Sequence, residues 1–162
     1  MLVSKARLLL ITLWAGSLWA IGYVAAPTLF ATLPDNVLAG TAAGNLLRSE
    51  AWLSMAVGVL LLGVIGASTD VTAGRRKLLF AVIGAMLACV LVNYFGLWPV
   101  MAEAKLAGDR SKFGMLHGIS MVFYLIQSLL AGFLVVKNQS AGIESGSRHH
   151  PQIRHPRAGG EP

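Results

Sequence analysis

The chain has 162 residues, of which 56% are hydrophobic and only 12% are charged, and its formal net charge is +6. A soluble domain usually has about 25% charged residues, so this composition, with a mean hydropathy of +0.67, excludes an ordinary soluble domain and favours a membrane protein. The basic residues fall in short clusters between apolar runs, which is typical of membrane-flanking loops and argues against nucleic acid as a partner.

Four apolar runs are each long enough to cross a bilayer core of about 30 Å at a rise of about 1.5 Å per residue. They cover about residues 8–32, 51–68, 78–100 and 113–136. The first run is longer than the apolar core of a signal peptide, so we expect a retained helix that Pro27 kinks. The sequence therefore predicts one all-α domain over residues 1–137, an integral membrane four-helix bundle.

The segment between the first two spans begins with a turn at Pro34, where the Asp35 side chain is placed to cap a helix. We expect a short extra helix from about Asn36, which either lies at the outer interface or runs into the second span. Gly40 and Gly44 are four residues apart and would allow close approach of another helix.

All seven acidic residues fall outside the four predicted spans. Glu50 immediately precedes the second span, and we interpret it together with Arg48 as a marker of the outer membrane surface. Ion-coupled transporters and proton pumps usually carry a charged side chain inside the membrane. The sequence therefore argues against a proton pump that acts as a monomer. It also lacks the paired carboxylates of acid–base catalysis, which favours a non-enzymatic role over an enzyme.

Lys and Arg are distributed unevenly between the two sides of the membrane. Four spans place both termini on one side, and 9 of the 13 Lys and Arg lie there, with the predicted turn Gly74–Lys77 as the clearest cluster. The positive-inside rule then predicts a bacterial cytoplasmic (inner) membrane protein with both termini cytoplasmic. Residues 138–162 are rich in Gly, Ser, Pro, His and Arg, and we expect a disordered cytoplasmic tail.

Tyr23, Asn93 and His117 lie at a similar depth, roughly 8 Å inside the outer boundary at about 1.5 Å per residue. Unpaired polar groups are costly in hydrocarbon, so these side chains should face the bundle interior and find partners. Two interpretations stay open: a small outward-facing polar pocket, or an interhelical hydrogen bond that only holds the bundle together. Gly114 and Gly118 flank His117 and are expected to bring another helix close to the imidazole.

The sequence carries little that points to a metal or haem site. His117 is the only histidine in a predicted span, and the chain has no C-x-x-C and no C-x-x-C-H motif. We predict no metal site and no cofactor, with haem as the alternative. The histidines of the tail, at positions 149, 150 and 155, are interpreted as part of a flexible basic segment, with weak binding of a soft or borderline metal as the alternative.

Three stretches together resemble a bacterial membrane family: WAGSLWAIGYVAAPTLFATL (14–33), LAGTAAGNLL (38–47) and KFGMLHGIS (112–120). Over about Leu8 to Val136 the chain resembles the family called domain of unknown function 4149, which is related to eukaryotic transmembrane protein 205. A more distant likeness runs to the copper-resistance D-like membrane proteins. The positions that match the family pattern are Trp14, Gly16, Gly22, Tyr23, Pro27, Leu29, Phe30, Gly40, His117, Gly118 and Ser120.

The resemblance implies a four-helix integral membrane protein without an agreed biochemical activity. Together with the residues it predicts a multi-pass protein that binds or passes a small ligand, or scaffolds a membrane partner. The expected surroundings are the lipid bilayer and a homo-oligomer or another membrane protein. The alternative is a haem- or copper-associated membrane redox protein, for which a second intramembrane histidine is missing.

Overall fold

The computed structural model describes residues 2–69 and 71–147, with side chains up to residue 138. Within these ranges the chain is helical apart from short turns, and four helices are long and apolar enough to cross a membrane. We number them in chain order, first to fourth: Leu2–Thr32, Asn36–Gly66, Ala73–Leu106 and Arg110–Ser147, of which the apolar span candidate ends at Asn138. The prediction of an all-α four-helix membrane bundle is confirmed.

The first and third helices each contain one π-helical segment, at Ala20–Ala25 and at Val92–Leu97. A proline follows each segment, Pro27 in one case and Pro99 in the other. Proline has no backbone N–H, and its ring collides with the carbonyl four residues earlier, so the turn before it widens. The kink expected at Pro27 therefore takes the form of a π segment.

The second helix begins at Asn36, where the Asp35 carboxylate accepts the N–H of Val37 at 2.9 Å, so the predicted cap is confirmed. The helix then continues without a break to Gly66. The short interfacial helix expected here is therefore not a separate element. It forms the first turns of the second span, because no Pro interrupts the stretch and the buried face continues through Ala39 and Ala43.

The third helix begins at Ala73, so the stretch Gly74–Lys77 is its first turn and not the predicted turn between spans. At its other end Gly108 has a φ of 71°, a conformation that favours glycine. The N–H of Asp109 reaches back to the carbonyl of Ala104 at 3.0 Å, which closes a Schellman cap. These short turns make successive helices antiparallel.

The fourth helix extends past the predicted end of the domain, to Ser147. Residues 138–147, which we expected to begin a disordered tail, are therefore helical. The rest of that predicted tail, residues 148–162, lies outside the described residues.

The large buried apolar side chains are concentrated in one half of the bundle, which we call the basic half. This core contains Ile11, Trp14, Leu61, Ile65, Leu79, Ile83, Met86 and Leu134. Arginines tie the helices together at the end of this half. Arg7 Nε donates to Asn138 Oδ1 at 3.1 Å, and Arg75 Nη2 donates to the carbonyl of Lys137 at 2.6 Å.

The other half, which we call the far half, holds both π segments and the turns that precede Asn36 and Arg110. Here aromatic rings pack on glycines in place of a large apolar core. A Cβ at Gly44 would lie 2.9 Å from Trp98 Cη2, and one at Gly40 would lie 3.7 Å from the Phe30 ring. The close helix approach expected at Gly40 and Gly44 is thus present, and each glycine receives a ring.

Candidate functional site

A carboxyl group is buried between the helices near the border of the two halves. Glu50 lies near the middle of the 31-residue second helix, about 21 Å from Asn36 at 1.5 Å per residue. Its side chain is only 3% exposed. Glu50 is therefore buried between helices, within a helix long enough to cross a membrane, and is not the exposed surface marker that the sequence predicted.

Three side chains from three helices join this carboxyl in one hydrogen-bonded group, which we call the Glu50 cluster: Trp14, Glu50, Ser54 and Gln127. Ser54 lies one turn after Glu50, and its hydroxyl donates to Glu50 Oε1 at 2.5 Å. The indole Nε1 of Trp14 and the amide Nε2 of Gln127 both donate to Ser54 Oγ, at 2.6 and 3.2 Å. All four side chains are buried.

The hydroxyl of Ser54 uses its full hydrogen-bonding capacity, since it donates once and accepts twice. Its three partners therefore fix the position of the hydroxyl from the first, second and fourth helices. Among the described residues no Lys, Arg or His pairs with Glu50. Within the same set, Glu50 Oε2 accepts no hydrogen bond. The cluster thus fixes Glu50 Oε1 by a hydrogen bond and leaves Glu50 Oε2 free to bind a proton or another ligand.

Further polar contacts join the first and fourth helices next to the cluster. The Tyr124 hydroxyl donates to the carbonyl of Leu18 at 2.6 Å. Trp19 Nε1 donates to Ser128 Oγ at 2.8 Å. Because Tyr124 packs against Gly22, where a Cβ would collide with its ring, the two helices approach closely on the far side of the cluster.

The three residues of the predicted polar pocket meet different neighbours. Tyr23 is half exposed and packs edge-on against Tyr124, with ring centroids 6.4 Å apart. Asn93 Nδ2 donates to the carbonyl of Ser120 at 3.3 Å, and its Oδ1 is buried without a partner.

His117 is exposed and stacks on Phe113, with centroids 5.9 Å apart. The structure does not bring this ring into contact with Tyr23 or Asn93, and an interior position for His117 was wrongly expected. The glycines beside it are open as well, because a Cβ at Gly114 or Gly118 would meet nothing within 4 Å. Within the described chain no helix packs on these two glycines.

The other positions of the family pattern have mixed surroundings. Trp14 belongs to the Glu50 cluster, Gly22 receives Tyr124, and Ser120 accepts from Asn93. A Cβ at Gly16 would meet nothing within 4 Å, and Pro27 and Phe30 are exposed.

Residues suited to a metal are dispersed. No group of three or more His, Cys, Asp or Glu side chains comes together in the part of the chain that the structure describes. Cys89 is a free, buried thiol of the third helix.

Antiparallel apolar helices of this length define a multi-pass α-helical membrane protein. The model of the family described as "Domain of unknown function (DUF4149)" matches residues 9–110, and the chain belongs to this family. The match covers the first helix from residue 9 and all of the second and third, and it ends at the first residue of the fourth, so the KFGMLHGIS stretch lies outside it. The likeness to the copper-resistance D-like proteins stays a prediction.

Comparison with curated proteins and with solved structures gives no match.

Proposed function

We propose that this chain is a non-enzymatic membrane protein that binds or passes a small ligand at the Glu50 cluster. The observation that carries the proposal is a buried carboxyl inside a membrane-type bundle, without a cation to neutralise it among the described residues. A charged group in such a place is costly, and ionisable residues inside spans usually lie on substrate or ion pathways.

A purely structural role explains this residue less well. The bundle already has a continuous apolar core in its basic half, and interhelical hydrogen bonds can be made by neutral side chains. Ser54 and Gln127 are such side chains and already link two helices. Adding an unpaired carboxyl to them costs free energy without a packing gain, which supports a role in binding.

The far half is the favoured side of approach to the cluster. It contains the π segments, which carry Tyr23 and Asn93, and its contacts are made through rings on glycines. The basic half is filled by large side chains such as Leu61 and Ile83. Tyr23 and Asn93 therefore remain candidates for the entrance, whereas His117 is exposed and stands apart from both.

The proposal is tested by flux into liposomes that contain the purified protein. The probes are protons, sodium, potassium and methylammonium, each driven by an imposed gradient. We expect flux of at least one probe in the unmodified chain, and its fall to the level of protein-free liposomes in Glu50→Gln. Glu103→Gln is the control, because Glu103 is an exposed carboxylate at the far end of the third helix.

Two results would contradict the proposal. One is flux that Glu50→Gln leaves unchanged, and the other is no flux above protein-free liposomes for any probe. A stoichiometric Soret band in the purified protein, removed by His117→Ala, would instead support the haem alternative.

We also propose an inner-membrane location with cytoplasmic termini and a homo-oligomer or membrane partner. The charge bias supports the orientation, since Arg75, Arg76, Lys77 and Lys137 lie at one end of the bundle. In a Cys89→Ser background, a cysteine that replaces Arg110 should react with an impermeant maleimide in intact cells, and one that replaces Arg76 should not. The opposite labelling would reverse the orientation.

A further inference from the structure

The hydrogen bonds and the packing around the Glu50 carboxyl restrict which ligand it can bind. We infer that the Glu50 cluster is a proton site, in which the Glu50 carboxyl carries a proton that exchanges with water through the far half. This inference rests on the proposed function and names the ligand of the same site.

The cluster lacks the ligand set of a metal ion. A cation needs several oxygen lone pairs directed at one point. The lone pairs of Ser54 Oγ are already taken by the N–H groups of Trp14 and Gln127. Glu50 is the one anionic member of the four-residue cluster, and a single carboxylate is a poor metal site.

The cluster is also filled by its own side chains. Ser54 is fully buried, Trp14 is 1% exposed and Gln127 is 2% exposed. An organic ligand would have to displace one of these side chains and break its hydrogen bond. A proton needs no cavity, and it is the ligand that this packing accepts without rearrangement.

The hydrogen bonds indicate where the proton sits. Oε1 accepts from Ser54, so the added proton lies on Oε2, and the product is a neutral carboxylic acid. The proton comes from a hydronium ion, which becomes water, and it returns to water on release. The ionised form keeps a single hydrogen bond to Ser54, so release requires water to reach Oε2.

Neighbouring groups do not supply a compensating charge. The titratable and charged side chains of the surrounding helices near this level are Tyr23, Cys89, Tyr94 and Tyr124, together with Arg48 on the same helix. Tyrosine and cysteine are usually neutral at neutral pH. Arg48 is exposed, because residues two positions apart point to different sides of a helix. In the closed bundle a proton is therefore the group that neutralises Glu50.

Infrared difference spectroscopy of the full-length protein in lipid tests the inference. At neutral pH exposed carboxyls are ionised, so a carboxylic-acid C=O band reports a protonated, buried group. We expect this band in the unmodified chain and in Glu103→Gln, and its loss in Glu50→Gln. Gln keeps an oxygen that can accept the Ser54 hydroxyl, so this variant preserves the fold. On transfer to D₂O the Glu50 band should shift.

Two outcomes would overturn the inference. A spectrum without a Glu50-dependent acid band at neutral pH means that the carboxyl is ionised. A band that fails to shift in D₂O means that its proton is fixed and not carried. Both are distinct from failure of the proposed function, because sodium or methylammonium flux that depends on Glu50 would leave that function standing.

Discussion

The basic half and the far half of the bundle are held together by different contacts. In the basic half, large side chains such as Leu61 and Ile83 fill the space between the helices, and arginines join the helix ends. In the far half, the helices meet through aromatic rings on glycines, and the first and third helices widen into π segments.

The Glu50 cluster lies where these two kinds of packing meet. Trp14 belongs both to the cluster and to the apolar core, while Tyr124 and Gly22 pack on the far side. A dense core resists opening, whereas the far half has no comparable core among the described residues and its helices contain the irregular π segments. This difference is the reason for proposing that water reaches the carboxyl through the far half.

The largest effect should come from the core of the basic half. Leu61→Ala removes a fully buried side chain and should lower the free energy of unfolding by about 2–5 kcal/mol. Leu60→Ala is the matched control, because the neighbouring Leu60 is 56% exposed and should lose little. Unfolding by detergent titration measures both. Equal losses in the two variants would contradict a core confined to the inward face.

A smaller loss is expected where the far half packs on glycine. A Cβ at Gly22 would collide with the Tyr124 ring, so Gly22→Ala should cost about 1–3 kcal/mol. Gly16→Ala, on the same helix, adds a methyl group where nothing lies within 4 Å and should be neutral or slightly stabilising. The same titration compares them, and a harmless Gly22→Ala would show that the far half is looser than described.

The polar cluster should contribute less than either packing contact. Ser54→Ala leaves the Trp14 and Gln127 N–H groups without their acceptor, and we expect a loss of about 1–2 kcal/mol. Ser49→Ala is the control, since Ser49 is exposed and donates to a carbonyl of its own helix. Trp14 fluorescence, with the other tryptophans changed to Phe, should shift in Ser54→Ala only.

The smallest effect is predicted for a single hydrogen bond next to the cluster. Tyr124→Phe removes the bond to the carbonyl of Leu18 and should cost about 0.6 kcal/mol, the mean for such bonds in membranes. Tyr23→Phe should have no measurable effect, because the Tyr23 ring is half exposed and its described contact is a ring contact. A larger loss for Tyr23 would place its hydroxyl in the interior.

The sequence was sufficient for the four spans and for the helix cap at Asp35, since both follow from local patterns. It missed the burial of Glu50, because a carboxyl two positions from Arg48 resembles a pair of charges at a membrane surface. Residues two positions apart point to different sides of a helix, so one of this pair is exposed and the other is buried. Glu50 and Ser54 lie one turn apart on the same face, and this spacing was the available signal.

The predicted polar pocket shows a second limit of the sequence, which is the direction of each side chain. Sequence position gives the depth of Tyr23, Asn93 and His117 along their helices, but not the direction in which each side chain points. That direction depends on helix packing, and a π segment changes it further by adding a residue to a turn. Tyr23 and Asn93 lie on such segments, so their directions could not be derived from a regular helical period.

Hydrogen–deuterium exchange of the protein in lipid nanodiscs tests the difference between the two halves most directly. The backbone amides of the π segments, Ala20–Ala25 and Val92–Leu97, should exchange faster than those around Leu61 and Ile83 in the basic half. This result would show that water approaches the Glu50 cluster from the far half. Uniform protection of both halves, or faster exchange in the basic half, would contradict the account.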